Sequence, residues 1–200
     1  MPKTKEQFQA IKEERADSIL RSALPIFSIK GYDGTSIDEI AKAANCSHGL
    51  LYHYYKNKDD LFHEMMELIV VPYVQEIRKN VNFNQKASYA LHDFIDAYLN
   101  TLKSENDEQC MSIYLILNMH LQKTVNFKRR PSGRKRLGEY FMELIERGQY
   151  EGDFNKEFSP REVTIILMTS LKGLSYNRIM LGNKKFYCPH SEPFMRMLYK

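Results

Sequence analysis

The residue types best suited to chemistry in this chain lie between His48 and Lys58, in the run HGLLYHYYKNK. Two histidines and three tyrosines there can donate and accept hydrogen bonds. No nucleophile–base spacing, paired-carboxylate signature or metal motif accompanies them. At helical spacing Leu51 and Tyr55 share one face, and His48, Gly49, Tyr52 and His53 share the opposite one, with Leu50 between. Imidazoles and phenols can bond base edges and phosphates, an apolar group can touch a thymine methyl, and Gly49 lets a backbone approach closely. The chemistry implied is recognition of a polar surface, with no catalytic residue assigned.

The neighbouring elements explain how such a face is held. Ile37, Ile40, Ala41 and Ala44 fall at i, i+3, i+4 and i+7, one stripe of a helix. Thr35 and Ser36 are its N-cap candidates, with Asp38 and Glu39 three residues on from each. Asn45 sits where the chain must turn sharply and tolerates the left-handed conformation. Ser47 caps a second short helix reaching about Tyr54. Helix, tight turn, helix is the arrangement that lays its second helix in a DNA major groove. Upstream, Leu20, Ala23, Leu24 and Phe27 stripe a helix from about Lys12 to Lys30, stopped by Gly31 and carrying Pro25 as a kink site. Downstream, Asn57 caps a helix from Lys58 towards Asn80, with Asp59 and Asp60 suiting its dipole and Pro72 predicting a bend near 68–71. Lys58 breaks the dipole rule, since a cation at a helix start is unfavourable unless an anion such as a DNA phosphate lies beside it.

These residues resemble the DNA-binding motif of TetR-type transcriptional regulators. The match runs through Thr35-Ser36, Ile40-Ala41, Ala44-Asn45-Cys46-Ser47, Leu51-Tyr52, Tyr55 and Lys58, with Ala23, Phe27, Gly31 and Tyr32 upstream. Its specific part covers roughly residues 12–62. Beyond it the likeness is general helicity and a GQYEGDF-type turn at Gly148 to Phe154. Asn45 departs from the usual Gly, and Tyr55 from a commoner Phe, adding a hydroxyl that needs a partner. The resemblance implies phosphate contacts at Thr35, Tyr54 and Lys58. With the face above, the expected DNA-binding set is Thr35, Ser36, Ser47, His48, Gly49, Leu50, Tyr52, His53, Tyr54 and Lys58.

The rest of the chain reads as helices at about 86–103, 108–122, 134–150, 160–181 and 193–199, the fourth starting at the Ser159-Pro160-Arg161-Glu162 capping box. A basic stretch, Lys123 to Arg136, reads as a solvated linker. No strand pattern appears. The expected fold is all-α: a three-helix DNA-binding head with a helix-turn-helix (1–57) joined to a larger helical ligand-binding and dimerisation domain (58–200). Aromatic and Met residues at helical spacing in that body are ordinarily core. The resemblance implies an effector site there, for which Tyr89, His92, Tyr98, Met111, Tyr114 and Asn118 are candidates, and their character suggests a largely apolar small ligand. Val163, Ile166, Leu167, Ser170, Leu171 and Leu174, with Tyr140, Leu144 and Ile145, read either as an intrachain core or, as the resemblance implies, as a four-helix homodimer seam.

Composition bounds the alternatives. The net charge is +4, yet residues 1–60 hold nine Lys/Arg and nine Asp/Glu, so duplex binding has to rest on placed groups and helix N-termini. Cys46, Cys110 and Cys188 suggest neither a disulfide framework nor a metal site, and no cofactor is expected. The N-terminal run lacks the apolar core of a secretory leader, and no apolar stretch is long enough to span a membrane. The expectation is a cytoplasmic, homodimeric DNA-binding regulator, a repressor released by its ligand from a two-fold symmetric double-stranded operator. A ligand-independent organiser or activator, and an enzyme built in the helical body, are the rival readings.

Overall fold

The computed structural model describes residues 4–79, 81–121 and 137–199, with the side chains at 5, 74, 116–121 and 137 outside that description. Among the described residues the regular structure is helical, with one isolated antiparallel bridge between Phe154 and Tyr199. The chain is all-α and divides into two compact units, Met1–Pro72 and Tyr73–Lys200.

In the first unit α1 spans Lys5–Lys30, starting a turn and a half or more before the expected Lys12. Thr4 accepts from Gln7 N–H and Gln7 returns the bond, closing a capping box. The apolar periodicity misses this start because Phe8 and Ile11 are exposed. The helix runs on through Pro25. The next two elements are α2 (Ile37–Ala43) and α3 (His48–Tyr54). Seven-residue helices do not persist alone in water. These are held by burial of Ile40, Ala41, Ala44, Leu51 and Tyr55 against Ile19, Leu20, Ala23, Leu24 and Phe27 of α1. Full burial of each large apolar side chain contributes about 1.5–3 kcal/mol.

A fourth helix, α4 (Lys58–Met65), closes this core with Leu61, Phe62 and Met65. The Phe62 ring meets Phe27 edge-on at 4.7 Å and Tyr32 at 5.2 Å. After Met65 the chain winds as a π-helical turn, Met66–Val70, before α5 (Val71–Lys79). This is where Pro72 predicts a bend. Proline has no N–H and its ring crowds the carbonyl four residues back, so a widened turn relieves the clash.

The second unit contains α6 (Ala87–Lys103), α7 (Asp107–Leu121), α8 (Leu137–Glu151), α9 (Pro160–Leu181) and the short α10 (Glu192–Arg196). The basic stretch Lys123 to Arg136 lies almost wholly outside the described residues. Helix α8 passes through Gly148 because a side chain there would strike Phe154, and stops at Gly152, whose φ of 85° is left-handed. The Ser159 capping box forms as the sequence predicts. The core joins Phe94, Ile95, Tyr98, Leu99 and Leu102 of α6 to Phe141, Leu144 and Ile145 of α8 and Leu167, Met168 and Leu171 of α9. Arg178 on α9 is 1% exposed. Its guanidinium donates to Leu102 O (3.0 Å) and Ser104 O (2.9 Å) and pairs with Asp107 (2.9 Å), tying the end of α6 to the start of α7.

This core takes up most of the stripe that reads as either core or dimer seam, while its members Ile166 and Ser170 stay exposed. Leu167, Leu171, Leu144 and Ile145 are buried within the chain, and Val163 and Leu174 pack against the same core. Helix α9 carries apolar residues on several sides, so periodicity alone does not separate the core side from the exposed side. The apolar groups it leaves exposed are Ile165, Ile166, Tyr176, Met180 and Leu181, alongside Ser170 and Gly173.

Candidate nucleic-acid interface

The turn that aims α3 is fixed by its backbone. Asn45 adopts φ 49°, the left-handed conformation its residue type tolerates, and Cys46 N–H bonds Ala41 O at 2.9 Å. Arg15 of α1 donates to Asn45 O at 2.7 Å, holding the turn from outside. Ser47 caps α3 by accepting from Leu50 N–H (3.1 Å). Ser36 caps α2 through a reciprocal box with Glu39. Lys30 pairs with Glu39 and holds that carboxyl below the usual carboxylate range.

One face of α3 anchors it. Leu51 is fully buried, and the Tyr55 hydroxyl, which needed a partner, donates to Ala16 O at 3.0 Å. Burial and surrounding carboxylates push that phenol up, so it stays a donor. The opposite face is open. His48, Gly49, Tyr52 and His53 are exposed, and Leu50 and Tyr54 are half-buried. The His48 and Tyr52 rings stack at 4.9 Å, 29° apart, and His53 meets Tyr54 edge-on at 5.6 Å. A Cβ on Gly49 would meet nothing within 4 Å. The face contains donors, acceptors and aromatic edges on a rigid mount.

Two candidate phosphate contacts sit differently. The Thr35 side chain is buried, its hydroxyl donating to Gly31 O at 2.7 Å. The Lys58 ammonium turns back into the fold, donating to Tyr32 O and Thr35 O at 2.9 Å each and lying 4.4 Å over the Tyr32 ring. Its unfavourable place at a helix start is thus balanced by two carbonyls inside the protein. Tyr32 in turn donates to Asp59. Both residues tie together the segment between α1 and α2, and Lys58 links it to the start of α4. Lys42 at the end of α2 and Lys56 between α3 and α4 are exposed.

The effector candidates differ in their surroundings. Tyr89 is 63% exposed, and Tyr98 is buried with its hydroxyl bonded to Leu171 O at 2.6 Å and to Ser175. His92 lies 3.4 Å from Asp96 and bonds Ser191 at 3.1 Å. Met111 is half-buried, Tyr114 is buried and faces Tyr176 across 5.9 Å, and the Asn118 side chain lies outside the described residues. A cleft of ≈ 430 Å³ between α5, α6 and α7 is lined by other groups, among them Glu76, Asp93, Asp96, Asn100 and Gln109 with Ile77. Its polar lining does not match the largely apolar site expected. Among the described residues no group of three or more His, Cys, Asp or Glu is arranged to hold a metal, and no helix is long and apolar enough to cross a membrane.

An anchored short helix with an open polar face, set by a tight turn, defines a helix-turn-helix protein. Residues 19–65 match the family model for bacterial regulatory proteins of the tetR family. The biofilm operon icaADBC HTH-type negative transcriptional regulator IcaR of Staphylococcus epidermidis is 28% identical over 102 residues, 51% of this chain and 52% of that protein. The HTH-type transcriptional regulator AcrR of Shigella flexneri is 44% identical over 66 residues, 33% of this chain and 29% of its own. The chain thus spans about half the length of IcaR and under a third of AcrR in these matches. The solved structure of AibR in complex with isovaleryl coenzyme A and operator DNA superposes with a TM-score of 0.63 at 19% identity, covering 92% of this chain and 95% of that one. The likeness to tetR-family regulators thus rests on residues 19–65, the helix-turn-helix region.

Proposed function

We propose that this chain is a sequence-specific DNA-binding transcriptional regulator, a cytoplasmic homodimer that represses from a two-fold symmetric operator and is released by a small ligand. The observation that carries the reading is α3. One face is buried to the last atom of Leu51, and the other offers His48, Gly49, Tyr52 and His53 to solvent. A major groove accepts a helix of this width, and those groups can bond its base edges. Ser36, Ser47, Leu50 and Tyr54 border the face. Phosphates are held by N–H groups at the helix starts and by Lys42 and Lys56, in place of the Thr35 and Lys58 side chains. DNA reading is assigned to residues 1–57, effector binding and pairing to the chain beyond.

Pairing is supported by the exposed apolar groups of α9, Ile165, Ile166, Tyr176 and Met180, next to the small residues Ser170 and Gly173. A head that reads a short half-site gains affinity from a second copy. Ligand release is supported by relatives: IcaR is named a negative regulator, and AibR was solved with both a coenzyme A ester and operator DNA. A ligand that binds better to a state with misplaced heads lowers DNA affinity by the coupling free energy.

Selection from a random double-stranded DNA pool tests the reading. The expected result is enrichment of a two-fold symmetric sequence with half-site centres about 34–36 Å, or a multiple, apart. Recovery of the starting pool without enrichment would overturn it.

A further inference from the structure

Among the described residues every glycine but two has a reason inside the fold. Gly31, Gly152 and Gly182 adopt left-handed φ values of 72°, 85° and 71°. A Cβ on Gly34, Gly138 or Gly148 would come within 3.0 Å of another group of the chain. Gly49 and Gly173 have neither reason: both lie inside helices, and a Cβ there would meet nothing within 4 Å. Gly49 stands on the open face of α3. Gly173 stands in the middle of α9 on its exposed side, where glycine weakens a helix relative to alanine. A small residue with no use inside the chain lets a second backbone approach from outside.

The face around Gly173 identifies that second backbone. Within eight residues of Gly173 the exposed positions of α9 fall three, four, seven and eight residues away, in both directions. The outer positions are apolar at each end, Ile165 and Ile166 on one side and Met180 and Leu181 on the other. The inner ones can hydrogen-bond at each end, Thr169 and Ser170 facing towards the start of α9, Tyr176 and Asn177 towards its end. Such a face is complementary to itself, the requirement of a two-fold contact. An antiparallel copy sets the two isoleucines against Met180 and Leu181, and the small Thr169 and Ser170 against Tyr176 and Asn177. Ser170 Oγ donates to Ile166 O at 3.0 Å and keeps lone pairs to accept from the Asn177 amide of the copy. A parallel copy would set Tyr176 against Tyr176 one turn from Gly173 and hold the backbones apart.

We propose that two copies of this chain pair through α9 in antiparallel register, crossing at Gly173, where their backbones come closest. The proposal rests on the pairing reading above and fixes its register.

Engineered cysteines in the full-length protein test the register, in a Cys46→Ser/Cys188→Ser background that leaves the buried Cys110 in place. A residue beside the two-fold axis meets its own copy, so oxidised glutathione should join the Gly173→Cys dimer through a disulfide. Ile166→Cys alone should stay unjoined, because its two copies lie roughly 21 Å apart on helices rising about 1.5 Å per residue. Ile166→Cys/Met180→Cys should be joined. Gly173→Leu should keep its helix content by circular dichroism, since its Cβ has room and leucine favours the helix. Its dimer dissociation constant by sedimentation should rise by about 5- to 150-fold, the effect of overfilling a packed contact. A Gly173→Cys dimer that oxidation leaves unjoined, joining of Ile166→Cys alone, or a Gly173→Leu dimer as tight as wild type overturns the proposal. Wild type that sediments as a monomer at every concentration would instead sink the pairing reading, so the two failures are distinct.

Discussion

Removing the Lys58 ammonium separates a structural clamp from a phosphate contact. In the structure this group bonds two carbonyls at 2.9 Å and covers the Tyr32 ring at 4.4 Å. Hydrogen bonds from a charged donor contribute about 1.5–3 kcal/mol each when well shielded. Lys58 is only half-buried, so water can replace it at the freed carbonyls. The stem, kept in Lys58→Met, preserves most of the packing. A net loss of about 1.5–3 kcal/mol follows for Lys58→Met, and with about 2–4 °C per kcal/mol for a chain of this size the melting temperature should fall by about 3–12 °C. Urea denaturation followed by circular dichroism measures the loss. Titrating DNA at several salt concentrations measures the charge contribution, because each phosphate neutralised steepens the salt dependence by about one unit. The clamp predicts lower stability and an unchanged salt slope. Wild-type stability with a slope reduced by about one unit would refute it and restore the phosphate contact.

The remaining predictions address the interface, a packed glycine and the turn. Ile166→Arg, placed on the exposed side of α9, should yield a folded monomer by sedimentation, whereas Leu171→Arg, fully buried, should fail to fold; a folded dimer from Ile166→Arg would place the interface elsewhere. Gly148→Ala puts a methyl 2.2 Å from Phe154 Cδ2 and should cost about 1–3 kcal/mol in urea melts; no change would mean the Phe154 ring yields freely. Asn45→Ala should cost about 1–2 kcal/mol because of its φ of 49°, while Asn45→Gly should be neutral or mildly stabilising; equal melts for all three would contradict the left-handed turn.

How much of this was legible in the sequence depends on the range of the interaction. Caps and turn residues act within a few positions, so Ser36, Ser47, Asn57 and Ser159 mark their helix starts correctly, and Asn45 its turn. The two faces of α3 follow from periodicity once Leu51 is taken as the anchor. Thr4 and Gln7 form an equally local signal, masked because the turns that follow carry exposed apolar residues. The carbonyl partners of Lys58 come from residues 26 and 23 positions away, which no local rule connects. Helix α9 offers apolar residues on most of its circumference, so which side meets α6, α7 and α8 is a tertiary fact. Tyr98 and Tyr89 show the same limit: both are aromatic at helical spacing, but one closes a core hydrogen bond and the other stands in solvent.

The central claim is that the open face of α3 reads bases. The ratio of affinities for the selected sequence and a scrambled duplex, compared between wild type and Tyr52→Ala at one salt concentration, tests it most directly. Tyr52 is about half exposed and its ring supports His48, so its loss should leave the fold intact. The expected ratio is reduced by roughly 5- to 150-fold, the equivalent of one base contact, with scrambled-duplex affinity nearly unchanged. An unchanged ratio would contradict it.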